Sequence, residues 1–427
     1  MEMMHRLAGA SKASLLDRAM RITDPPKLQK HPGGSDVRVG TSLRALVVEL
    51  QGHGGFWHYA STLCAALTRE GIVTALATSS PYEDLGDAAV PVLNIGERTT
   101  SSRWLHAQLG RVWNHGVRLV RLSRALDEFK PDIVHLQGPL GSLDFLYFRW
   151  LKRRGAKVIY TAHNPRPRTG TGGWLHKARL QESDAIVVLS RVGVKDLVGD
   201  GIGASKIFHM VHGNYLRFCN GSESSRDRAR QVLGLPEAAR AILFFGQIAP
   251  YKGLDLLIEA FAKVRRQDPT VYLIIAGSLA ESFDPYRQLI DRFGLGDAVI
   301  LELRYIPLAE LPNYFLAADL LVFPYRQAYQ SGVLQLAYGF ARPVVVTDAG
   351  DLGETVAEDG TGIITGPNAE DLAAAIQKLL SERATAASMG QRGRQAAETK
   401  YSWPAIAART AEIYQIVCRP AAQHSLS

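Results

Sequence analysis

Short apolar runs rich in β-branched residues recur along the chain at 43–50, 73–78, 131–136, 157–161, 185–189 and 207–211. Each is too short for a free-standing helix and fits a strand buried on both faces. Between them the apolar positions shift to helical spacing, as over 56–69 and 103–129. A second series begins at 241–245 and continues through 271–276, 299–303, 320–323 and 344–347. Helical patterns lie over 254–266, 308–317, 331–340, 369–380, 382–399 and 403–417. Alternation of this kind predicts parallel sheets covered by helices on both faces. The expected class is α/β, with two doubly wound Rossmann-like domains facing a central cleft.

The boundaries follow from the breaks in this pattern. Residues 1–40 are polar, basic and broken by Pro25-Pro26 and Gly33-Gly34, which reads as an N-terminal arm with one short amphipathic helix over 14–22. Residues 41–212 form the first domain, 213–240 a polar linker and 241–400 the second domain. The last helix, within 401–427, is expected to cross back to the first domain.

Composition narrows the class little: 46% of residues are apolar and 21% charged, as in ordinary globular chains. No run approaches ~18 apolar residues, the minimum for a membrane span, and no apolar leader is visible. Three scattered cysteines suggest neither a disulfide framework nor a metal knuckle and suit the cytoplasm. Charge is more informative. Residues 1–212 carry 28 Lys and Arg against 18 Asp and Glu, and the remainder 21 against 23, within a net charge of +8. A basic first half implies an anionic partner. No zinc spacing, RNP-like motif or basic heptad points to nucleic acid. A phosphate-bearing acceptor or an anionic membrane surface is expected, with the protein peripheral at the inner face of the membrane. The arginines of 103–129 suit an interfacial helix or a core helix with outward-snorkelling heads.

The chemistry concentrates where strands end. In open α/β sheets ligands sit beyond the carboxyl ends of the strands, and a helix N-terminus there offers N–H groups to an anion. The run after the first strand reads Gln51-Gly-His-Gly-Gly-Phe, so the backbone at Gly54 and Gly55 can approach a phosphate closely. Lys252 follows a strand of the second series and suits a diphosphate. Tyr325, Ser331 and Gly332 lie between two short strands and suit sugar hydroxyls. Glu354 suits ribose hydroxyls or a helix cap. His163, at the end of the 157–161 strand, can reach the cleft. Asn164, Arg166 and Arg168 begin a Pro/Gly/Arg loop that suits an anionic acceptor. No Asp-x-Asp occurs, so metal independence is expected, with protein cations on the diphosphate and no cofactor beyond a nucleotide-sugar co-substrate.

Taken together, Gly54-Gly55-x-x-His58, Pro131-Asp-Ile-Val-His135, Thr161-Ala-His163-Asn164, His212-Gly213, Phe245-Gly-Gln247, Tyr251-Lys252-Gly253 and Pro343-Val-Val-Val-Thr resemble the GT-B-fold glycosyltransferases of family 4. The resemblance runs over about 43–417 and is to a branch carrying Pro-Tyr-Arg…Gln-Ser-Gly-Val. It implies that the Gly-Gly loop and Lys252 contact the donor diphosphate, that His163 lies near the reacting centre, and that Gln247 stands where the family has Arg. Sugar transfer to a lipid-linked or growing glycan, with retention, is the implied reaction. The family's two glutamates, with seven residues between them, fall near Ala328 and Leu336 and are absent. That departure leaves open a non-catalytic sugar- or partner-binding relative. A nucleotide-sugar epimerase is the other alternative, and the stretch 319–354 offers few carboxylates for it.

Overall fold

The computed structural model describes residues 42–82, 90–97, 104–139, 144–166, 173–219 and 225–419. The expected arm with its helix, and Arg168, lie outside these residues. Among the described residues the first sheet has seven parallel strands: β1 (Arg44–Val48), β2 (Val73–Ser80), β3 (Val92–Glu97), β4 (Ile133–Leu136), β5 (Lys157–Ala162), β6 (Ala185–Val188) and β7 (Ile207–His209). Their spatial order is β3-β2-β1-β4-β5-β6-β7. The helices that go with them are α1 (Gly54–Arg69), α2 (Trp104–Phe129), α3 (Asp144–Arg153), α4 (Gly173–Glu182) and α5 (Arg191–Gly199).

The second sheet has six parallel strands: β8 (Arg240–Phe245), β9 (Val271–Ala276), β10 (Val299–Glu302), β11 (Leu320–Phe323), β12 (Val344–Thr347) and β13 (Gly362–Thr365), in the order β10-β9-β8-β11-β12-β13. Its helices are α6 (Arg226–Val232), α7 (Leu254–Gln267), α8 (Asp284–Arg292), α9 (Leu311–Ala317), α10 (Gly332–Gly339), α11 (Asp351–Asp359), α12 (Ala369–Ser381) and α13 (Arg383–Glu398). Chain direction across each sheet reverses once, between β1 and β4 and between β8 and β11. These two switch points fix where ligands can enter.

The continuous apolar strands are explained by double-sided burial. In β1, Leu46 and Val48 face one core with Leu122, Leu126 and Phe129 of α2, while Ala45 faces another with Tyr59 and Leu63 of α1. Side chains of α2 are described from Gly116 onward, and there Val120 is 54% exposed. The 103–129 stripe is thus only partly a core face. The last helix, α14 (Trp403–Cys418), sets Trp403, Ile406, Ala407, Ile413 and Tyr414 into the core shared with β1 and α1. Their three-, four- and seven-residue spacing makes one apolar face.

The segment read as a linker is in large part packed structure. Ala229, Leu235 and Ala239 belong to the second sheet's core. Arg230 donates to the carbonyls of Ala317, Glu237 and Ala239 and to Asp319. Its polar composition hides this role because an arginine stem packs while its head bonds carbonyls. The pattern also passes over β3, β13 and α8. Asn94 and Gly96 interrupt the first, Gly362 opens the second, and the third is largely polar.

Ile413 is fully buried and Ile416 is 45% exposed on the same helix. Ile413→Ala is expected to lower unfolding stability by about 2–4 kcal/mol, and Ile416→Ala by under about 0.5 kcal/mol. Urea unfolding of the two variants checks this.

Candidate active site in the cleft

The loop after β1 is shaped by a buried carboxylate. Glu49 accepts the Gln51 and Gly52 N–H groups at 2.7 and 2.8 Å. Gly52 has φ +66°, and a Cβ there would stand 2.8 Å from the Ser79 carbonyl. The chain then enters α1 at Gly54, with φ +68° and open space where a Cβ would be. No side chain caps α1. Its first N–H groups and the positive end of its dipole are presented at the switch point.

The loop after β8 carries Lys252 on a short 3₁₀ turn that ends in Gly253 at φ +65°. Any Cβ on Gly253 would collide with the Pro324 carbonyl. Arg326 clamps the same turn: its N–H bonds the Tyr251 carbonyl at 2.7 Å, and its guanidinium bonds the Pro250 carbonyl and the Asp255 carboxylate. The Pro324-Tyr325-Arg326 run therefore braces the lysine loop. Tyr325 is 4% exposed, packed against Phe323 and Tyr251, with Lys252 Nζ 5.4 Å from its ring centre. Lys252 is itself only 7% exposed. It and Val333, in the first turn of α10, flank Gly246.

Tyr215 joins the two halves. Its hydroxyl lies 3.7 Å from the Cβ position of Gly55 and 3.2 Å from that of Gly332. His212 Nε2 is 3.7 Å from the latter. Gly55, at the head of α1, and Ser331-Gly332, at the head of α10, thus face one another across one phenol. Gln247 lies exposed just beyond β8.

His163 stands at the end of β5 as expected. Its ring packs on Phe56 (4.6 Å) and edge-on to Tyr59 (5.2 Å), and Nε2 bonds Gln137 Oε1 at 3.2 Å. Burial, then the neighbouring His212 and His135, hold its pKa well below the usual imidazole value. Burial lowers His212 to about 4 and His135 to about 3. His135 bonds the hydroxyls of Tyr414 and Thr161, each at 2.8 Å. All three rings are neutral at pH 7, so they orient and exclude water but supply no positive charge.

A latch closes one side of the cleft. Asp351 accepts the Arg191 and Val192 N–H groups at the head of α5, while Ser190 caps Gly193. Arg191 pairs with Glu358 at 2.5 Å and Glu354 at 2.9 Å, and the Tyr329 hydroxyl bonds Asp196 at 2.8 Å. Glu354 does not cap α11: Gly350 is the N-cap and no side chain bonds there. At the fourth helical position its carboxylate has no orphan N–H to take and turns to Arg191. Arg166 is engaged by Asp200 and Asp196, and Asn164 is exposed beside it. Tyr215, His212, Gln137, Asp351 and Arg191 were not singled out as site residues from sequence. Gln137 follows β4 directly, a legible position, whereas Tyr215 lay in the supposed linker. Among the described residues no three His, Cys, Asp or Glu side chains group as a metal site, and no helix is long and apolar enough to cross a membrane.

Residues 54–210 match the Glycosyl transferase 4-like domain and residues 225–396 the Glycosyl transferases group 1 family. The two matches fall in order on the two sheets. Each match covers less than half of the chain; together they span both sheets, and the two parallel-sheet Rossmann-like domains have the GT-B architecture seen in glycosyltransferases. Among its relatives, the D-inositol 3-phosphate glycosyltransferase of Corynebacterium aurimucosum is 30% identical over 201 residues, 45% of this chain and 47% of that one. The GDP-mannose-dependent alpha-(1-6)-phosphatidylinositol monomannoside mannosyltransferase of Mycolicibacterium smegmatis is 30% identical over 201 residues, 44% of this chain and 51% of that one. The chain spans about half the length of the curated relatives it matches. Anabaena HepE, solved in complex with UDP and glucose, superposes with a TM-score of 0.69 at 18% identity, covering 88% of this chain and 100% of HepE. At that identity the likeness is one of fold.

Gly253→Ala is expected to lower the unfolding temperature by several degrees, because it sets a side chain against backbone at positive φ. The exposed Gly294, also at positive φ but with open space around it, is the control, and Gly294→Ala should shift it less. For pH, unfolded histidines take protons below about 6.5 that the folded rings refuse. Stability is therefore full above about 6.5. Each such ring removes about 1.4 kcal/mol per pH unit below that, until its folded pKa is reached. Denaturant unfolding between pH 7.5 and 4.5 should show this slope, and His212→Phe should make it shallower.

Proposed function

We propose that the chain transfers a sugar from a nucleoside-diphosphate donor to a hydroxyl acceptor, within the cleft between the two switch points. One observation carries this reading: the uncapped head of α1 at Gly54-Gly55 and the head of α10 at Ser331-Gly332 meet about the Tyr215 hydroxyl, with Lys252 behind α10. That is a place for a diphosphate, whose charge grows as it leaves. Gly54, Gly55 and Lys252 hold it. Ser331, Gly332 and Gln247 hold the sugar and nucleotide, Glu354 reaches the ribose, and Tyr325 positions Lys252.

The reaction breaks the bond from the anomeric carbon to the phosphate oxygen and forms one to the acceptor oxygen. The acceptor proton passes to the leaving phosphate. With retention, both bonds lie on the same face of the sugar. Neutral His163, fixed by Gln137, orients a sugar or acceptor hydroxyl through a hydrogen bond. Buried aromatic rings and the latch keep water from competing as acceptor. The names of the relatives, with inositol phosphate and phosphatidylinositol monomannoside, support an acceptor that is phosphate-bearing or lipid-linked. So does the basic first domain; in this reading Asn164, Arg166 and Arg168 contact the acceptor, with the protein peripheral at the inner face of an anionic membrane.

Lys252→Ala should reduce kcat/KM for transfer by about 10²–10³-fold with the folded structure kept. Product release from UDP- and GDP-sugars is the assay. Full activity in this variant contradicts the role given to Lys252.

A further inference from the structure

At the amino ends of the second sheet, opposite the cleft, lies a pocket of about 620 Å³. Arg226, Arg230, Arg240, Arg342 and Arg383 line it against two carboxylates, Asp319 and Glu237. Three of the arginines are accounted for. Arg226 and Arg230 share Asp319, and Arg240 is paired with Asp268. Arg342 forms no ion pair among the described residues and its buried Nε has no hydrogen-bond partner, so only the nearby Asp319, already shared by Arg226 and Arg230, favours its charge. Burial and the neighbouring Arg226 pull its pKa down to about 10. Exposed Arg383 stands at the rim, in the first turn of α13 just after its N-cap residue Glu382.

The backbone fixes this arrangement. Arg342 N–H bonds the Ala337 carbonyl and Ala341 N–H that of Tyr338, closing the end of α10 with Ala341 at φ +52°. Glycine usually holds that position, and the turn delivers Arg342 into the pocket. A half-buried guanidinium whose Nε lacks a hydrogen-bond partner is favoured by an added anion, and guanidinium forks match phosphate oxygens. The volume lies within the range of about 300–1,000 Å³ typical of small-molecule sites.

We infer that this pocket is a second ligand site, distinct from the cleft, for a small phosphorylated anion held by Arg342 and Arg383. The probe is inorganic pyrophosphate, titrated calorimetrically into the full chain at constant ionic strength. Lys252→Ala serves as the background, so that the cleft competes little. Saturable binding is expected there, at least tenfold weaker once Arg342→Met is added and severalfold weaker with Arg383→Ala. Absence of saturable binding overturns the inference, as does unchanged affinity on adding Arg342→Met. If that variant does not fold, the exposed Arg383→Ala decides alone, and unchanged affinity there overturns it.

Discussion

The site depends on holding one ammonium group nearly out of water at a fixed place. Lys252 sits on a turn too short to be rigid by itself. It is fixed because Gly253 lets the backbone press on the Pro324 carbonyl, and because Arg326 spans Pro250, Tyr251 and Asp255. The Tyr325 ring then lies against the charge, where an aromatic face is favourable to a cation. Loss of contact with water makes such a group a strong partner for a diphosphate, since interactions strengthen as the surroundings become less polar. The strands β8 and β11 that carry these loops are neighbours only because the chain reverses direction across the sheet there.

The same construction recurs in the first sheet, where β1 and β4 carry the glycine loop and Gln137. Facing these two switch points gives the cleft a consistent division of chemistry. Positive potential comes from Lys252 and a helix head, and the imidazoles stay neutral. Only His163 was singled out as a site residue from sequence, yet it stands with His135 and His212 as one neutral group. Burial keeps each ring neutral, His212 and His135 further disfavour a charge on His163, and Tyr59 lies against both His163 and His212. Asp351 and Arg191 hold the far side of the cleft closed through backbone N–H groups and exposed ion pairs, contacts of the strength that ligand binding can rearrange.

Much of this was legible in the residues. Runs such as 320–323 and 344–347 coincide with β11 and β12 because doubly buried strands leave no room for polar side chains. Glycine punctuation located both loops. What stayed hidden depends on partners distant in sequence. Tyr215 gains its place only when Gly55 and Gly332 meet. Glu354 reads as a cap until Arg191 is seen beside it. Arg230 reads as linker polarity until its carbonyl partners are known. The Pro-Tyr-Arg run read only as a mark of one branch of the family, and the structure gives its arginine a bracing task.

The central claim is that the diphosphate of a sugar nucleotide lies between the head of α1 and Lys252. A crystal structure with a bound UDP- or GDP-sugar tests it most directly. Phosphate oxygens are expected within hydrogen-bonding distance of Lys252 Nζ and of the Gly54 or Gly55 N–H. A nucleotide bound with its phosphates away from both groups would contradict it.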